Sequence, residues 1–261
     1  MNLELFQQIL LEFTKKNLLQ FMNARTEVCV FGERMNLYQQ DFDLGREVFK
    51  WIAIITMTVD HIGAVLYPEF EVLRLIGRFS FPLFAYLLIL GMEKTQNIRN
   101  YFLRLFIFAL ISQAPFFLAI GNEPFEHLNI FFTLSFGLLF VYYFKKNSLI
   151  AFVPLFFSFL LPFDYSIYGL AMIGCMYILT KNLKLGTILL ILLNGLFLVP
   201  WNPQFLSLVA LPLIILHNKS LLPTTRQAEK EFKIPLWRKY FFYVYYPLHL
   251  VLLYLINLYF F

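Results

Sequence analysis

Apolar residues run along this chain in long stretches separated by short polar breaks. About nine of these stretches approach the ~17–25 residues that a helix needs to cross a bilayer. They begin near Lys50, Val72, Tyr101, Leu128, Ser148, Ile167, Leu185, Pro203 and Phe241. The corresponding ends are near Tyr67, Met92, Ile120, Phe144, Phe163, Thr180, Pro200, His217 and Phe261. The sixth and eighth are short, so the count lies between about eight and ten. The pattern predicts an all-α fold, a polytopic transmembrane helical bundle. Residues 1–45 stand apart. Leu3, Phe6, Leu10 and Phe13 share one helical face, but Glu4, Glu12, Lys15 and Lys16 break any clean signal-peptide core. This segment reads as an interfacial amphipathic helix or as a poorly ordered terminus.

The loops alternate in charge. Arg46 and Lys50 precede the first stretch, and the next loop holds Glu69 and Glu71 without a base. Lys94 and Arg99 follow the second, Glu123 and Glu126 the third, Lys145 and Lys146 the fourth. Asp164 follows the fifth, Lys181 and Lys184 the sixth, and the uncharged Trp201–Pro203 turn the seventh. The longest loop carries Lys219, Arg226, Lys230, Lys233, Arg238 and Lys239. Under the positive-inside rule the basic loops are cytoplasmic. The N-terminus is then inside, the C-terminus outside, and an odd number of spans agrees.

Composition supports a lipid-solvated chain. Of 261 residues, 60% are hydrophobic, 20% aromatic and 14% charged, against about 25% charged in soluble domains. The net charge of +5 is spread over short loop clusters rather than one patch, which argues against a nucleic-acid partner. Cys29 and Cys175 form no CxxC pair or metal-ligand spacing.

Ionisable residues within these stretches need a partner or a function, because each costs ~2.5–3.5 kcal/mol near a helix centre on insertion scales. Asp60 and His61 lie past the middle of the first stretch. Arg74 and Arg78 lie in the second, four apart and so on one helical face. Pro82 follows Arg78 by four and frees its carbonyl, which weakens the helix beside that charge. Asp60 lies ~15 Å from its cytoplasmic start and Arg78 ~9 Å from its outer start at 1.5 Å per residue. An Asp60–Arg78 ion pair in the outer half is the expectation. Gln113 precedes Pro115, Asn129 opens the fourth stretch, His249 lies in the last, and Asn194 reads as helix glue.

A histidine beside an aspartate and cations can act as a general base on a hydroxyl or amine. The aspartate would orient the imidazole, and the arginines would hold a phosphate, a carboxylate or an oxyanion. The same residues suit a proton- or anion-coupled transporter or flippase. In a non-enzymatic assembly factor they would only set helix register. No phosphate loop, dinucleotide fingerprint, metal motif or nucleophile elbow is present.

Several segments carry a more specific likeness: TMTVDHIGAVLYPE from Thr56, LRLIGRFSFPLFAYLL from Leu73, YFLRLFIFALISQAPF from Tyr101, NIFFTLSFGLL from Asn129, DYSIYGL from Asp164 and KYFFYVYYPLHLVLLYLI from Lys239. In this order they resemble the TraX family of membrane proteins, named for the conjugal pilin acetylase. The resemblance covers residues 46–261 and not the first 45. It implies a multi-spanning acyltransferase of the bacterial inner membrane that uses acetyl-CoA as co-substrate and no metal. The acceptor would be a pilin-like protein or a cell-envelope glycan. It puts His61 and Asp60 in the catalytic position and Arg78 at the acyl donor. Arg74, Gln113, Asn129 and His249 would line the site, and basic loop residues such as Lys145 and Lys146 would attract the CoA phosphates.

Overall fold

A computed structural model describes residues 44–121, 126–196, 202–219 and 236–260, with the side chains of 236–239 excepted. The expected N-terminal amphipathic segment lies outside the described residues up to position 43. So do Glu123, Pro200, Trp201 and most of the long basic loop.

The described residues are helical, as their apolar runs demand. The helices are α1 (Leu44–Val65), α2 (Glu71–Gly77), α3 (Ser80–Lys94), α4 (Ile98–Ile120) and α5 (Ile130–Lys145). A 3-10 turn leads into α6 (Phe152–Leu160), followed by α7 (Ser166–Lys181) and α8 (Leu183–Gly195). The 3-10 segment Pro203–Ala210 runs into α9 (Leu211–Asn218), and α10 is Leu236–Phe260. Among the described residues there is no strand, only one isolated bridge between Leu128 and Phe163.

Four segments are long and apolar enough to cross a membrane: Leu44–Val65, Glu71–Lys94, Ile98–Ile120 and Tyr240–Phe260. The other five expected stretches are apolar helical segments of 10–17 residues, shorter than those four: Ile130–Lys145, Leu149–Leu160, Ser166–Lys181, Leu183–Gly195 and Pro203–Asn218. The Glu71–Lys94 segment is 61% buried, against 28–39% for the other three long ones. It therefore forms the centre of the bundle, and α1, α5 and α7 pack on its α3 part.

Aromatic and charged contacts gather at one end of this bundle. Phe49, Tyr86 and His217 meet, with the Tyr86 hydroxyl 2.9 Å from His217 Nδ1. This contact sets the start of α1 beside the end of α9. Glu93 receives Lys145 at 3.3 Å and Lys181 at 3.2 Å, tying together the ends of α3, α5 and α7. Lys145, expected as a free cation for phosphates, is thus engaged by a carboxylate, and Lys146 lies 4.4 Å from the Tyr142 ring.

The second expected span is not one helix. It stops at Gly77 and restarts at Ser80, with Arg78 and Phe79 at the break. Pro82 lies in the first turn of the new helix, where its missing N–H costs nothing. Gly77 packs directly on Asp60, and a Cβ there would fall inside the Asp60 side chain. At the other closest approach, Gly186 lets α8 touch the α7 backbone at Leu179.

Gly77→Ala should therefore destabilise the bundle by about 1–3 kcal/mol through overpacking, read as a lowered melting temperature in detergent. An unchanged melting temperature would show that α2 does not press on Asp60.

Candidate functional site

The break in the second span decides which partner each arginine takes. Arg74, on α2, donates through Nη1 to the Asp60 carboxylate and, at 3.2 Å, to the Asp60 carbonyl. The expected Asp60–Arg78 pair is not formed. Two residues four apart share a face only while the helix continues, and α2 ends between them at Gly77. Arg78 is turned aside, and its Nη1 donates to Gln204 Oε1 at 3.2 Å.

Gln204 belongs to a chain of hydrogen bonds with one direction. Its Nε2 donates to the Tyr168 hydroxyl at 3.0 Å, and Tyr168 donates to Asn194 Oδ1 at 2.8 Å. Asn194 Nδ2 ends the chain on the Leu190 carbonyl at 2.8 Å, while Ser207 also donates to Asn194 Oδ1. Each group donates forward, so the bonds polarise one another. Asn194, expected as helix glue, anchors a chain that holds one side of the Arg78 guanidinium. Arg78 Nε is buried and donates to no described group.

The histidines meet across 188 positions of sequence. His61 Nδ1 and His249 Nε2 are 2.8 Å apart, with the rings stacked at 5.0 Å. His249 Nδ1 is 2.9 Å from the Tyr245 carbonyl. A carbonyl can only accept, so His249 carries its proton on Nδ1 and its Nε2 is a lone pair. His61 must then donate from Nδ1, which leaves His61 Nε2 as the basic nitrogen. No described group bonds that nitrogen. The expected orienting role of Asp60 falls geometrically to His249, since the Asp60 carboxylate is bound by Arg74. The Tyr246 ring packs on both imidazoles at 5.9 and 5.6 Å.

Gln113 and Asn129 form a structural clip. Gln113 Nε2 donates to the His127 carbonyl at 2.7 Å, and its Oε1 accepts from the backbone and side chain of Asn129. Asn129 also donates to the Ala109 carbonyl at 2.8 Å and caps α5 through Phe131 N. Both Asn129 amide protons are used internally. The clip fixes the loop before α5, and Leu128 then pairs with the loop before α7: its N donates to the Pro162 carbonyl and its carbonyl accepts from Asp164 N.

That pairing brings Asp164 into the field of Asp60, Arg78, Arg74 and His127. Asp164 keeps an exposed surface although protein crowds around its carboxyl. Burial pushes its carboxyl up to about 6, with Asp60 adding to the shift and the two arginines opposing it. Asp164, Tyr168 and Gln204 were not singled out as site residues by the sequence reading. Tyr168 and Asp164 do stand in the DYSIYGL segment, and that was their only signal.

This site sits in a chain with recognisable relatives. Residues 45–257 match the family model described as TraX protein. An uncharacterized protein of Rickettsia prowazekii (strain Madrid E) is 33% identical over 107 residues, 41% of this chain and 40% of that protein. A probable fimbrial assembly protein FimC, serogroup H1, of Dichelobacter nodosus is 28% identical over 102 residues, 38% of this chain and 42% of that protein. Protein TraX of Escherichia coli is 32% identical over 91 residues, 34% of this chain and 36% of that protein. The chain thus spans about two fifths of the length of these curated relatives, and no solved structure matches. With the family model covering most of its length, the chain belongs to the TraX family.

Proposed function

We propose that this protein is a membrane acetyltransferase that moves an acetyl group from acetyl-CoA to an amine or hydroxyl acceptor at the membrane. The observation that carries the reading is the Tyr245 carbonyl–His249–His61 chain, which leaves His61 Nε2 free as a base. In the step proposed, the acceptor nitrogen or oxygen attacks the thioester carbonyl while His61 Nε2 takes its proton. Negative charge collects on the carbonyl oxygen, where the unpartnered side of Arg78 stabilises it. The tetrahedral intermediate then expels the CoA thiolate, which recovers the proton from His61.

His249 keeps the His61 ring in register and shares the imidazolium charge through the Nδ1–Nε2 bond. Asp60 and Arg74 form a neutral pair that fixes the α1–α2 crossing beside the base. Asp164 lines the side from which the acceptor enters. The topology proposed has nine spans with the N-terminus cytoplasmic and the C-terminus outside, in the bacterial inner membrane. The sorting of Lys145, Lys181 and Glu93 to one end of the bundle supports it, under the positive-inside rule. The relatives named as protein TraX and as a probable fimbrial assembly protein favour a pilin-like acceptor over an envelope glycan.

The direct test is acetyl-CoA hydrolysis and acetyl transfer by the purified protein in detergent. His61→Ala should lose about 10²–10⁴-fold in kcat, the contribution of a general base. His249→Ala should lose at least about tenfold, and His249→Gln should recover part, because its Oε1 can accept from His61 Nδ1. Wild type and His61→Ala turning over alike would remove His61 from the chemistry. Ion or proton flux through reconstituted protein, without acetyl transfer, would replace the enzyme reading with a transporter.

Asp164 generates a separate expectation. Its folded-state pKa, about 6, lies above the usual carboxylate value of 3.8, so the folded protein binds this proton more tightly than the unfolded chain does. Stability from this group is complete below the unfolded value and is lost as pH rises to the folded one. The melting temperature should decline between those values, and Asp164→Asn should flatten that part of the profile. An identical profile in the variant would show that Asp164 ionises freely.

A further inference from the structure

A second cationic cluster lies between α1, α4 and α10, toward the basic end and away from the histidine pair. Arg104, on α4, stacks 5.4 Å from the Tyr101 ring, and its Nε is buried without a hydrogen-bond partner among the described residues. Arg46, in the first turn of α1, acts with Arg104 on the hydroxyls of both Tyr101 and Tyr243. A buried guanidinium donor that no described group uses is suited to an anion, and a planar fork of donors suits a phosphate above all.

From this cluster a ridge of polar aromatics climbs α10. Tyr240, Tyr243, Tyr246 and His249 stand three residues apart, the spacing of one ridge on a helix surface. Tyr240 and Tyr243 are 6.4 Å apart, and Tyr246 touches both His61 and His249. The Tyr246 hydroxyl is buried and makes no hydrogen bond of ordinary geometry. Arg46 and His61 lie on one helix, separated by ~22 Å at 1.5 Å per residue. A thioester donor with phosphates at one end and a long polar arm has that shape: charged at the basic end, extended along hydroxyls, and reactive at His61.

We infer that the α1–α4–α10 seam binds the phosphate end of the donor, with Arg104 and Arg46 on its phosphates and Tyr243 and Tyr246 along the path of its arm to His61. This assignment rests on the acetyltransferase reading for the identity of the donor. It differs from the loop lysines in its location, since Lys145 is held by Glu93.

Binding to the purified full chain tests it with two probes, CoA and pantetheine, which has the arm without the nucleotide phosphates. Arg104→Met keeps an unbranched apolar side chain and removes the guanidinium over Tyr101; Arg46→Met serves as a second variant on another helix. The expected result is CoA binding weakened about ten- to hundredfold, the range for a lost charge-assisted hydrogen bond, with pantetheine binding unchanged. Equal weakening of both probes, or no weakening of either, would overturn the assignment. In nanodiscs, stabilisation by phosphatidylglycerol over phosphatidylcholine that depends on Arg104, with CoA binding unaffected, would make the cluster a lipid-headgroup site and overturn it too. Phosphate-dependent CoA binding in a protein that never transfers acetyl groups would leave this site standing and remove the acetyltransferase reading.

Discussion

The close approach of Gly77 to Asp60 is the constraint on which the site depends. A carboxylate inside a helical bundle must be neutralised, because lipid and apolar side chains do not solvate it. Only a residue without a side chain lets the α2 backbone reach Asp60, and that reach delivers Arg74, one turn earlier, onto the carboxylate. With its charge neutralised there, α2 ends. Arg78 is released from the shared face and finds Gln204 on a different part of the bundle. One backbone contact thus separates two arginines that a continuous helix would have aligned; it gives one a carboxylate partner and leaves the other with a buried Nε that no described group uses.

The apolar segments were legible in the sequence because they follow from local composition. The residues that gather were legible too. Asp60, His61, Arg74, Arg78 and His249 stood out as polar groups in apolar runs, and the structure pairs Asp60 with Arg74 and His61 with His249. Their pairing was not legible. Assigning Asp60 to Arg78 assumed a shared helical face, although Pro82 had marked a weakened helix beside Arg78, where the break lies. Assigning Asp60 to His61 followed from adjacency, yet adjacent side chains diverge by ~100° around a helix. The actual partner of His61 comes from α10, and no local pattern encodes a contact across 188 residues. Gln113 and Asn129 also found partners that no local pattern specified. Polar residues in apolar helices suggest a site, but here they satisfy one another and a helix cap.

In the acetyltransferase we propose, backing a histidine base with a second histidine rather than a carboxylate has a physical consequence. A carboxylate would place a standing negative charge in a low-dielectric bundle and hold the imidazolium tightly once formed. A neutral imidazole fixed by a backbone carbonyl costs no buried charge in the resting state. It also stabilises the protonated base less, which favours prompt return of the proton to the leaving thiolate. The Asp60–Arg74 pair fits this scheme because it is neutral as a unit. Its place beside His61 holds the α1–α2 crossing, and Arg78 close by keeps an Nε that no described group uses.

The short helices complete the argument. A 16-residue helix such as α5 spans ~24 Å, less than a hydrocarbon core of ~30 Å. A helix of that length falls short of the thickness that the longer helices can cross. Exposed backbone at that depth is tolerated only where it lines a cavity or is paired within the protein. The second condition is met before α5: Leu128 pairs its N–H and C=O with the loop before α7, and Asn129 and Gln113 satisfy the surrounding carbonyls. The sub-length segments thus make room for polar loops to descend between the long helices. In doing so they carry Asp164 into the field of Asp60 and Arg78, a position that a bundle of full-length spans would have filled with apolar side chains.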